Sequence, residues 1–204
     1  MQRENWKFAL IAALAVGSVP GIAAADDAMG ESRGYTPIGA YFLAGGGVSD
    51  FANEALRDSF KVGGAWDLRL GIGSRYFLGG ELAYVGSARG GDGVGYNLLS
   101  NGGEAVVRVQ YPAKVSGWLI EPFAFGGIGF NRLTFLDDST NRDGQSIGTI
   151  PFGAGVMAGY RHMLIDARFT YRPAFGDSEV VLARTGVQEN LHSWAVMASV
   201  GYEF

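Results

Sequence analysis

Polar and apolar side chains alternate along four segments of this chain, and every charge in those segments falls on the same parity. Successive side chains of a β-strand point to opposite faces of the sheet, so the alternation predicts strands with one apolar and one polar face. Leu68 and Leu70 share the apolar parity of the first segment, as Val196 and Val200 do in the last. The charged residues on the other parity are Asp67, Arg69, Glu104, Arg108, Asp166, Arg168, Arg172 and Glu203. The pattern predicts an all-β chain.

The make-up of the polar face separates a soluble sheet from a membrane barrel. A soluble β-sandwich also alternates, but its outward positions are rich in Lys, Thr, Glu and Ser. Here the polar parity is mostly small residues with a few carboxylates and arginines, and Lys occurs only at Lys7, Lys61 and Lys114. The chain has 33 glycines, which leave space for long charged side chains inside a narrow barrel. We therefore predict lipid outside and a tight polar lumen inside.

The number and spacing of the segments predict an eight-stranded antiparallel up-and-down transmembrane β-barrel. Short and long connections alternate along the chain, as short periplasmic turns and long outer loops do in such barrels. Two of these segments are rich in glycine and leave open which of their faces points inward. The expected strands span residues 38–49, 61–75, 79–88, 102–111, 119–130, 151–160, 164–173 and 191–204.

Large aromatic residues fall at the two ends of the predicted strands, where a bilayer has its interfaces. One expected girdle, at the outer interface, contains Trp66, Phe152, Tyr171 and Trp194. The other, at the periplasmic interface, contains Tyr76, Tyr111, Tyr160, Tyr202 and Phe204. Aromatic residues of a soluble core need not collect at strand ends, so this distribution independently favours a membrane barrel.

The first 25 residues have the order of a secretory signal peptide: a charged start, a short apolar run and small residues. Ala23 and Ala25 provide an A-x-A cleavage site, and the apolar run is shorter than the ~20 residues that a spanning helix needs. We therefore expect a signal peptide at 1–25, a flexible periplasmic segment at 26–37 and the barrel domain at 38–204.

These features together resemble small bacterial outer-membrane β-barrels of the OmpA/OmpX-like type. The residues that carry the resemblance are the eight alternating strands, the segment EPFAFGGIGF and the terminal SVGYEF. The resemblance implies that Val200, Gly201, Tyr202 and Phe204 form the terminal signal read by the barrel-insertion machinery. Unlike two-domain relatives, this chain has no residues after Phe204, so no peptidoglycan-binding domain is expected.

The polar parity predicts a charge network inside the barrel, which comprises Asp67, Arg69, Glu81, Glu104, Arg108, Asp166, Arg168, Arg172 and Glu203. Glu121 is a further candidate for the interior. Unpaired charges in a water-poor lumen are costly, so these side chains should form ion pairs. Exchange of partners could open an ion path, whereas a static network would only fix the strand register. A barrel of eight strands has a narrow interior, which favours a static network that fills it as a plug.

Candidates for catalysis, cofactors and metals are few. The adjacent His192 and Ser193 point to opposite faces of a strand, which is poor geometry for a base and its nucleophile. A loop beginning at Ser139 is similar to a calcium loop, but Ile150 occupies the position that requires Glu. We predict no catalytic residues, no cofactor and no metal site. A net charge of −4 argues against nucleic-acid binding.

The sequence therefore predicts a non-enzymatic integral outer-membrane protein with a structural or surface-interaction role. Its expected partners are membrane lipid, lipopolysaccharide, the insertion machinery and an extracellular ligand that the loops bind, and we expect a monomer. The apolar Leu98, Leu99, Leu133, Phe135 and Leu136, in or beside loops, are candidates for contact with a partner or lipid, or simply extend the strands. The alternatives are a narrow channel, a lipid-A-modifying enzyme and a soluble lipocalin-like barrel with the opposite facing.

Overall fold

The computed structural model describes residues 39–57, 60–74, 76–91, 96–137, 142–175, 179–181 and 188–204. The expected signal peptide with Ala23 and Ala25, and the segment 26–37, lie outside the described residues. Over the ranges just given, no helix has the length and apolar character needed to cross a bilayer.

Antiparallel strands form one closed sheet, which confirms the predicted eight-stranded barrel. The elements are β1 (Gly39–Phe51), α1 (Glu54–Arg57), β2 (Gly63–Ser74), β3 (Leu78–Arg89), β4 (Tyr96–Gln110), β5 (Ala113–Val115), β6 (Trp118–Asp137), β7 (Arg142–Thr149), β8 (Phe152–Tyr160), β9 (Met163–Arg172), β10 (Ala174–Phe175), β11 (Glu179–Val181), β12 (Gln188–Asn190) and β13 (Ser193–Glu203). Around the barrel the order is β1, β2, β3, β4, β6, then β7 and β8 in succession, then β9 and β13, which pairs with β1.

The strands extend beyond their predicted ends on one side of the barrel. We call this side, where β1 ends and β13 begins, the loop end, and the opposite side the turn end. The predicted connection 131–150 is largely strand, because β6 continues to Asp137 and pairs with β7. Pro151 interrupts the sixth barrel strand between β7 and β8, since its nitrogen has no hydrogen to donate. Its carbonyl still accepts a hydrogen bond from the Gly127 amide at 2.9 Å.

A tight hairpin replaces part of another predicted connection, 112–118, at the turn end. There β5 pairs with the start of β6. Ser116 and Gly117, between the two strands, have φ values of 49° and 84°. Two central residues with positive φ are typical of the type I′ turn, whose twist matches that of the flanking strands. The hairpin keeps this connection short.

The apolar parity faces outward and the ionised parity faces inward. Leu70, Val107, Phe169 and Val200 are 52%, 56%, 47% and 59% exposed, whereas Arg69 and Arg168 are only 2% and 7% exposed. A soluble lipocalin-like barrel would need the reverse arrangement, with an apolar interior for its ligand. The exterior is therefore an apolar surface.

Aromatic side chains contact one another at both ends of this apolar surface. At the loop end, the rings of Phe152 and Tyr171 are 5.5 Å apart. At the turn end, Tyr202 lies 5.5 Å from Phe204, and Tyr160 lies 5.1 Å from Trp118. Trp118 was not among the aromatic residues expected there. The two groups lie at opposite ends of the strands, as a membrane-spanning barrel requires.

The structure resolves the facing of the two glycine-rich strands, β1 and β6. Tyr41 and Leu43 of β1 point inward, as do Phe123 and Phe125 of β6, and all four are buried. The interior therefore contains apolar as well as charged side chains. We call the following residues the inner apolar cluster: Tyr41, Leu43, Val106, Phe123, Phe125, Met157 and Leu164.

A second buried apolar group lies inside the barrel at the loop end. We call it the apolar cap; it consists of Phe51, Leu56, Phe60, Leu98, Leu133, Ile147 and Leu191. Leu98 and Leu133 are thus buried inside and are not free to contact a partner or lipid, which corrects one expectation for them. They face inward because β4 and β6 keep their alternation beyond the predicted strand ends. Leu99 is half-buried, and the side chains of Phe135 and Leu136 lie outside the described residues.

Candidate functional site

Six ionised side chains meet in the middle of the interior and form what we call the central charge cluster. They are Asp67, Arg69, Glu81, Arg108, Asp166 and Arg168, and all are buried. They come from β2, β3, β4 and β9, each at an inward position of its strand. Three carboxylates face three guanidinium groups, so the charges of the cluster balance.

Glu81 accepts hydrogen bonds from three side chains on different strands. Its Oε1 lies 2.6 Å from both the Tyr41 hydroxyl and Arg108 Nη1. Its Oε2 lies 2.8 Å from Arg168 Nη1. Arg108 Nη1 also donates to the Tyr41 hydroxyl oxygen at 2.6 Å. The carboxylate of β3 is therefore linked to β1, β4 and β9.

Asp166 forms the corresponding centre on β9. Its Oδ1 accepts hydrogen bonds from Arg69 Nη2 and Arg168 Nε, both at 2.9 Å. Asp67 completes this half of the cluster, with its Oδ2 at 3.1 Å from Arg69 Nε. Arg69 also donates to the Ser199 hydroxyl. These contacts connect β2, β9 and β13.

Aromatic rings of β6 pack against the guanidinium groups of the cluster. The Arg108 guanidinium carbon lies 3.9 Å from the centre of the Phe123 ring, and that of Arg168 lies 5.0 Å from the same centre. Arg168 is also 5.1 Å from the Phe125 ring centre. Cation–π contacts of this kind are attractive, and more so when the cation is desolvated. The segment EPFAFGGIGF thus supplies part of the interior packing.

The remaining predicted network residues lie outside the central charge cluster. Arg172 pairs with Glu104, with Nε and Oε1 2.5 Å apart. Glu203 is buried at the turn end and accepts a hydrogen bond from the Ser74 hydroxyl at 2.5 Å. Glu121 is also buried. The sequence-predicted charges are therefore all interior, but they form separate groups along the barrel axis.

The C-terminal residues that the resemblance singled out lie on the last strand and its end. Val200, Tyr202 and Phe204 are exposed on the apolar exterior, and Gly201 lies between two of them. His162, in the turn between β8 and β9, stacks on Tyr202 with ring centres 5.3 Å apart. Its Nδ1 is 2.9 Å from the Glu203 carbonyl oxygen. The end of the chain is thus fixed against the neighbouring turn.

A small cavity lies between the central charge cluster and the apolar cap, and we call it the upper cavity. Its volume is about 50 Å³. Polar side chains line it, including Ser49, Asp67, Arg89, Thr149 and Arg172. Arg89 is buried, and it lies one residue beyond the end of the predicted strand 79–88. Its parity on β3 matches that of Glu81, so extending the predicted strand by one residue would have found it.

The two histidines have structural contacts. The His192 Nδ1 accepts a hydrogen bond from the Ala174 amide at 2.9 Å, and His162 contacts the end of the chain. Within the described part of the chain, no group of three or more His, Cys, Asp or Glu side chains could hold a metal ion. The loop that begins at Ser139 falls partly outside that part.

Comparison with known proteins shows a likeness in fold only. No protein-family model matches the chain, and no curated protein matches it. Among solved structures, Neisserial surface protein A is 13% identical; the match covers 83% of this chain and 98% of that one, with a TM-score of 0.57. A second match is Ail, the attachment invasion locus protein of Yersinia pestis, in complex with the heparin analogue sucrose octasulfate. It is 12% identical; the match covers 82% of this chain and 97% of that one, with a TM-score of 0.50. The barrel architecture is therefore one found in small outer-membrane proteins.

Proposed function

We propose that this chain is an integral protein of a bacterial outer membrane that acts through the surface at its loop end, without enzymatic activity. The observation that carries the proposal is the facing of the strands. Apolar side chains cover the exterior between two aromatic girdles, while the charged side chains of these parts of the strands point inside. In water such an exterior would be one large exposed apolar surface, whereas in a bilayer it contacts the apolar lipid chains.

The filled interior favours a closed barrel over a narrow channel. The central charge cluster and the inner apolar cluster occupy the middle, and the apolar cap lies above them. A passage would require several buried ion pairs to separate at once, and each break leaves an uncompensated buried charge. The network then serves to fix the strand register and to brace the barrel.

The loop end is the surface that we propose for interaction. The strands continue beyond the girdle there and enclose their own apolar core, which gives a firm platform for recognition. Ail, which shares this fold, carries attachment and invasion in its name and binds a polyanionic heparin analogue in the crystal. A role in surface contact is the function that we infer for this chain by analogy with that protein.

Lipopolysaccharide is the lipid partner that the exterior suits. Arg132 of β6 points outward and is exposed at the loop end, two residues beyond the exposed Phe130. A cation immediately above an aromatic girdle is placed to meet lipid phosphate groups.

We further propose that a cleaved signal peptide exports the chain, that the barrel-insertion machinery reads Val200, Gly201, Tyr202 and Phe204, and that the barrel is a monomer.

Heat-modifiable migration in detergent tests the membrane-barrel assignment. The purified protein should run as a compact band unheated and as a slower, unfolded band after boiling, at a mass below the 21.6 kDa of the uncleaved chain, and it should fractionate with outer membranes. Recovery of the chain in the soluble fraction would contradict the proposal.

Two further measurements test the proposed lack of channel and enzyme activity. Planar bilayers containing the protein should show no stepwise current above that of bilayers with detergent alone. Mass spectrometry of lipid A should give the same species with and without expression of the chain. Reproducible current steps would favour the channel, and a new lipid A species would favour the enzyme.

A further inference from the structure

The upper cavity is a small space inside the barrel, lined by both polar and apolar side chains. The side chains of Phe51, Leu133, Ile147 and Leu191, all members of the apolar cap, form its roof. A water molecule needs roughly 10–15 Å³ of such volume, so the cavity has room for about four waters or for one larger ion with fewer waters. Which of these occupies the cavity therefore depends on the polar groups that line it.

Arg89 supplies a positive charge to this cavity. The side chain is only 5% exposed. Its Nη2 donates to the Ser49 hydroxyl at 3.0 Å, and its guanidinium lies 4.2 Å from the centre of the Phe51 ring. Of the carboxylates that the structure describes, none forms an ion pair with Arg89. Asp50 attracts its charge without touching it, while the neighbouring Arg172 repels it.

Two buried polar atoms of residues that line the cavity have no hydrogen-bond partner within the protein. They are Nε of Arg89 and the Oγ1 hydroxyl of Thr149. Thr149 is only 2% exposed. Both atoms can donate a hydrogen bond, and leaving a buried donor unsatisfied costs free energy. A ligand that accepts hydrogen bonds and comes within reach of either atom would satisfy it.

The other charged residues of the lining are already paired. Asp67 is occupied by Arg69 at 3.1 Å, and Arg172 by Glu104 at 2.5 Å. The charge that remains without a directly bonded counter-ion in the lining is that of Arg89. Burial of a charge is costly unless it is paired and hydrogen-bonded, so a neutral water is a poorer occupant than an anion.

We propose that the upper cavity binds one small monovalent anion of the size of chloride, with Arg89 as its counter-charge. The anion lies beside the Arg89 guanidinium group, with waters filling the remaining space. It adds a negative charge to the layer between the central charge cluster and the apolar cap.

The first test is the anion dependence of stability after refolding. The protein is refolded in detergent in sodium chloride or in sodium gluconate at equal ionic strength, because gluconate is too large for the cavity. We expect the midpoint of the heat-induced change of gel band to rise with chloride, by about 3–5 °C for each tenfold increase above the dissociation constant. Equal midpoints in the two salts at all concentrations would overturn the proposal.

A charge-removing variant locates the effect. Arg89→Gln keeps a side chain of similar reach but removes the charge, so we expect the response to chloride to be lost. Arg161→Gln removes an exposed arginine at the turn end, away from the cavity, and should leave the response unchanged. A full chloride response in Arg89→Gln would contradict the assignment of the site.

Crystals of the wild-type protein provide a readout that does not depend on a variant folding. The protein is refolded and crystallised in sodium bromide, and bromine is located by its anomalous scattering. We expect one bromide in the upper cavity within hydrogen-bond distance of the Arg89 guanidinium group. An ordered cavity that contains only water under these conditions would show that the site does not select an anion.

Discussion

Arg168 on β9 reaches across the barrel to Glu81 on β3, with its Nη1 and Nη2 at 2.8 and 3.1 Å from the two carboxylate oxygens. The strands β3 and β9 are four places apart in an eight-stranded barrel and therefore lie on opposite walls. A two-pronged contact of this kind fixes both the distance and the relative orientation of the walls.

Removal of the Glu81 charge should therefore destabilise the barrel strongly. In Glu81→Gln, Arg108 and Arg168 lose the negative charge that they share, and breaking a buried ion pair costs about 3–5 kcal/mol. Urea titration of the folded band in detergent measures the free energy of unfolding. Glu54→Gln, at an exposed position of helix α1, is the matched control and should change it by less than about 0.5 kcal/mol. Equal stability of the two variants would show that the contact across the barrel contributes little.

The outward face of β2 offers a test of membrane depth. Leu70 lies between the two aromatic girdles, so Leu70→Arg places a charge in the hydrocarbon and should cost about 2–4 kcal/mol in a bilayer. Val62 is also exposed but lies beyond the loop-end girdle. Val62→Arg should cost only about 0–1 kcal/mol. The free energy of folding into lipid vesicles is measured by denaturant titration for both variants. Similar losses of folding free energy at the two positions would argue against a bilayer around Leu70.

Close packing inside the barrel can be tested with a single methyl group. A Cβ at Gly71 would collide with the ring of Tyr41, whereas a Cβ at Gly64 would meet no atom within 4 Å. Overpacking costs about 1–3 kcal/mol, so Gly71→Ala should lower the urea midpoint while Gly64→Ala should not. If Gly71→Ala is as stable as wild type, the Tyr41 ring is free to move away from Glu81.

The C-terminal residue is expected to matter for assembly in cells more than for stability. Phe204 is largely exposed and contacts Tyr202 at its edge. Phe204→Ala should reduce the amount of folded barrel in the outer membrane several-fold, while the refolded protein in detergent differs from wild type by less than about 0.5 kcal/mol.

Phe77→Ala serves as the control for loss of an exposed aromatic at the same end, because Phe77 is exposed there but is not part of the terminal strand. Its amount in the outer membrane should stay near that of wild type. An equal loss in both variants would assign the effect to the aromatic girdle instead of a terminal signal.

The class of fold and the facing of most strands follow from the sequence because side-chain parity is a local property. Asp67 and Arg69 are separated by one residue, and no knowledge of other strands is needed to place them on the same face. The same local reasoning could not assign β1 or β6, whose glycines lack the contrast between the faces. Their facing depends on tertiary packing, in which Phe123 covers the guanidinium group of Arg108.

Two features could not be predicted from the sequence: which charged side chains pair with each other, and how far the strands extend at the loop end. Which carboxylate meets which arginine depends on the register across the barrel, and Glu81 and Arg168 are 87 positions apart in the chain. The strand extensions at the loop end were missed because polar residues and glycines at 131–150 indicate a loop. In the fold, Leu133 and Ile147 are buried in the apolar cap, which stabilises these extensions.

The bracing of opposite walls by Arg168 and Glu81 also restricts how this protein can evolve in size. Barrel diameter grows with the number of strands, so duplication of a hairpin would move β3 and β9 apart by more than an arginine side chain can span. In the enlarged interior, the three guanidinium groups and three carboxylates would lose their partners and be exposed to water. A ten-stranded descendant would have to replace these six side chains together, so substitutions and loop changes are the easier routes to new properties.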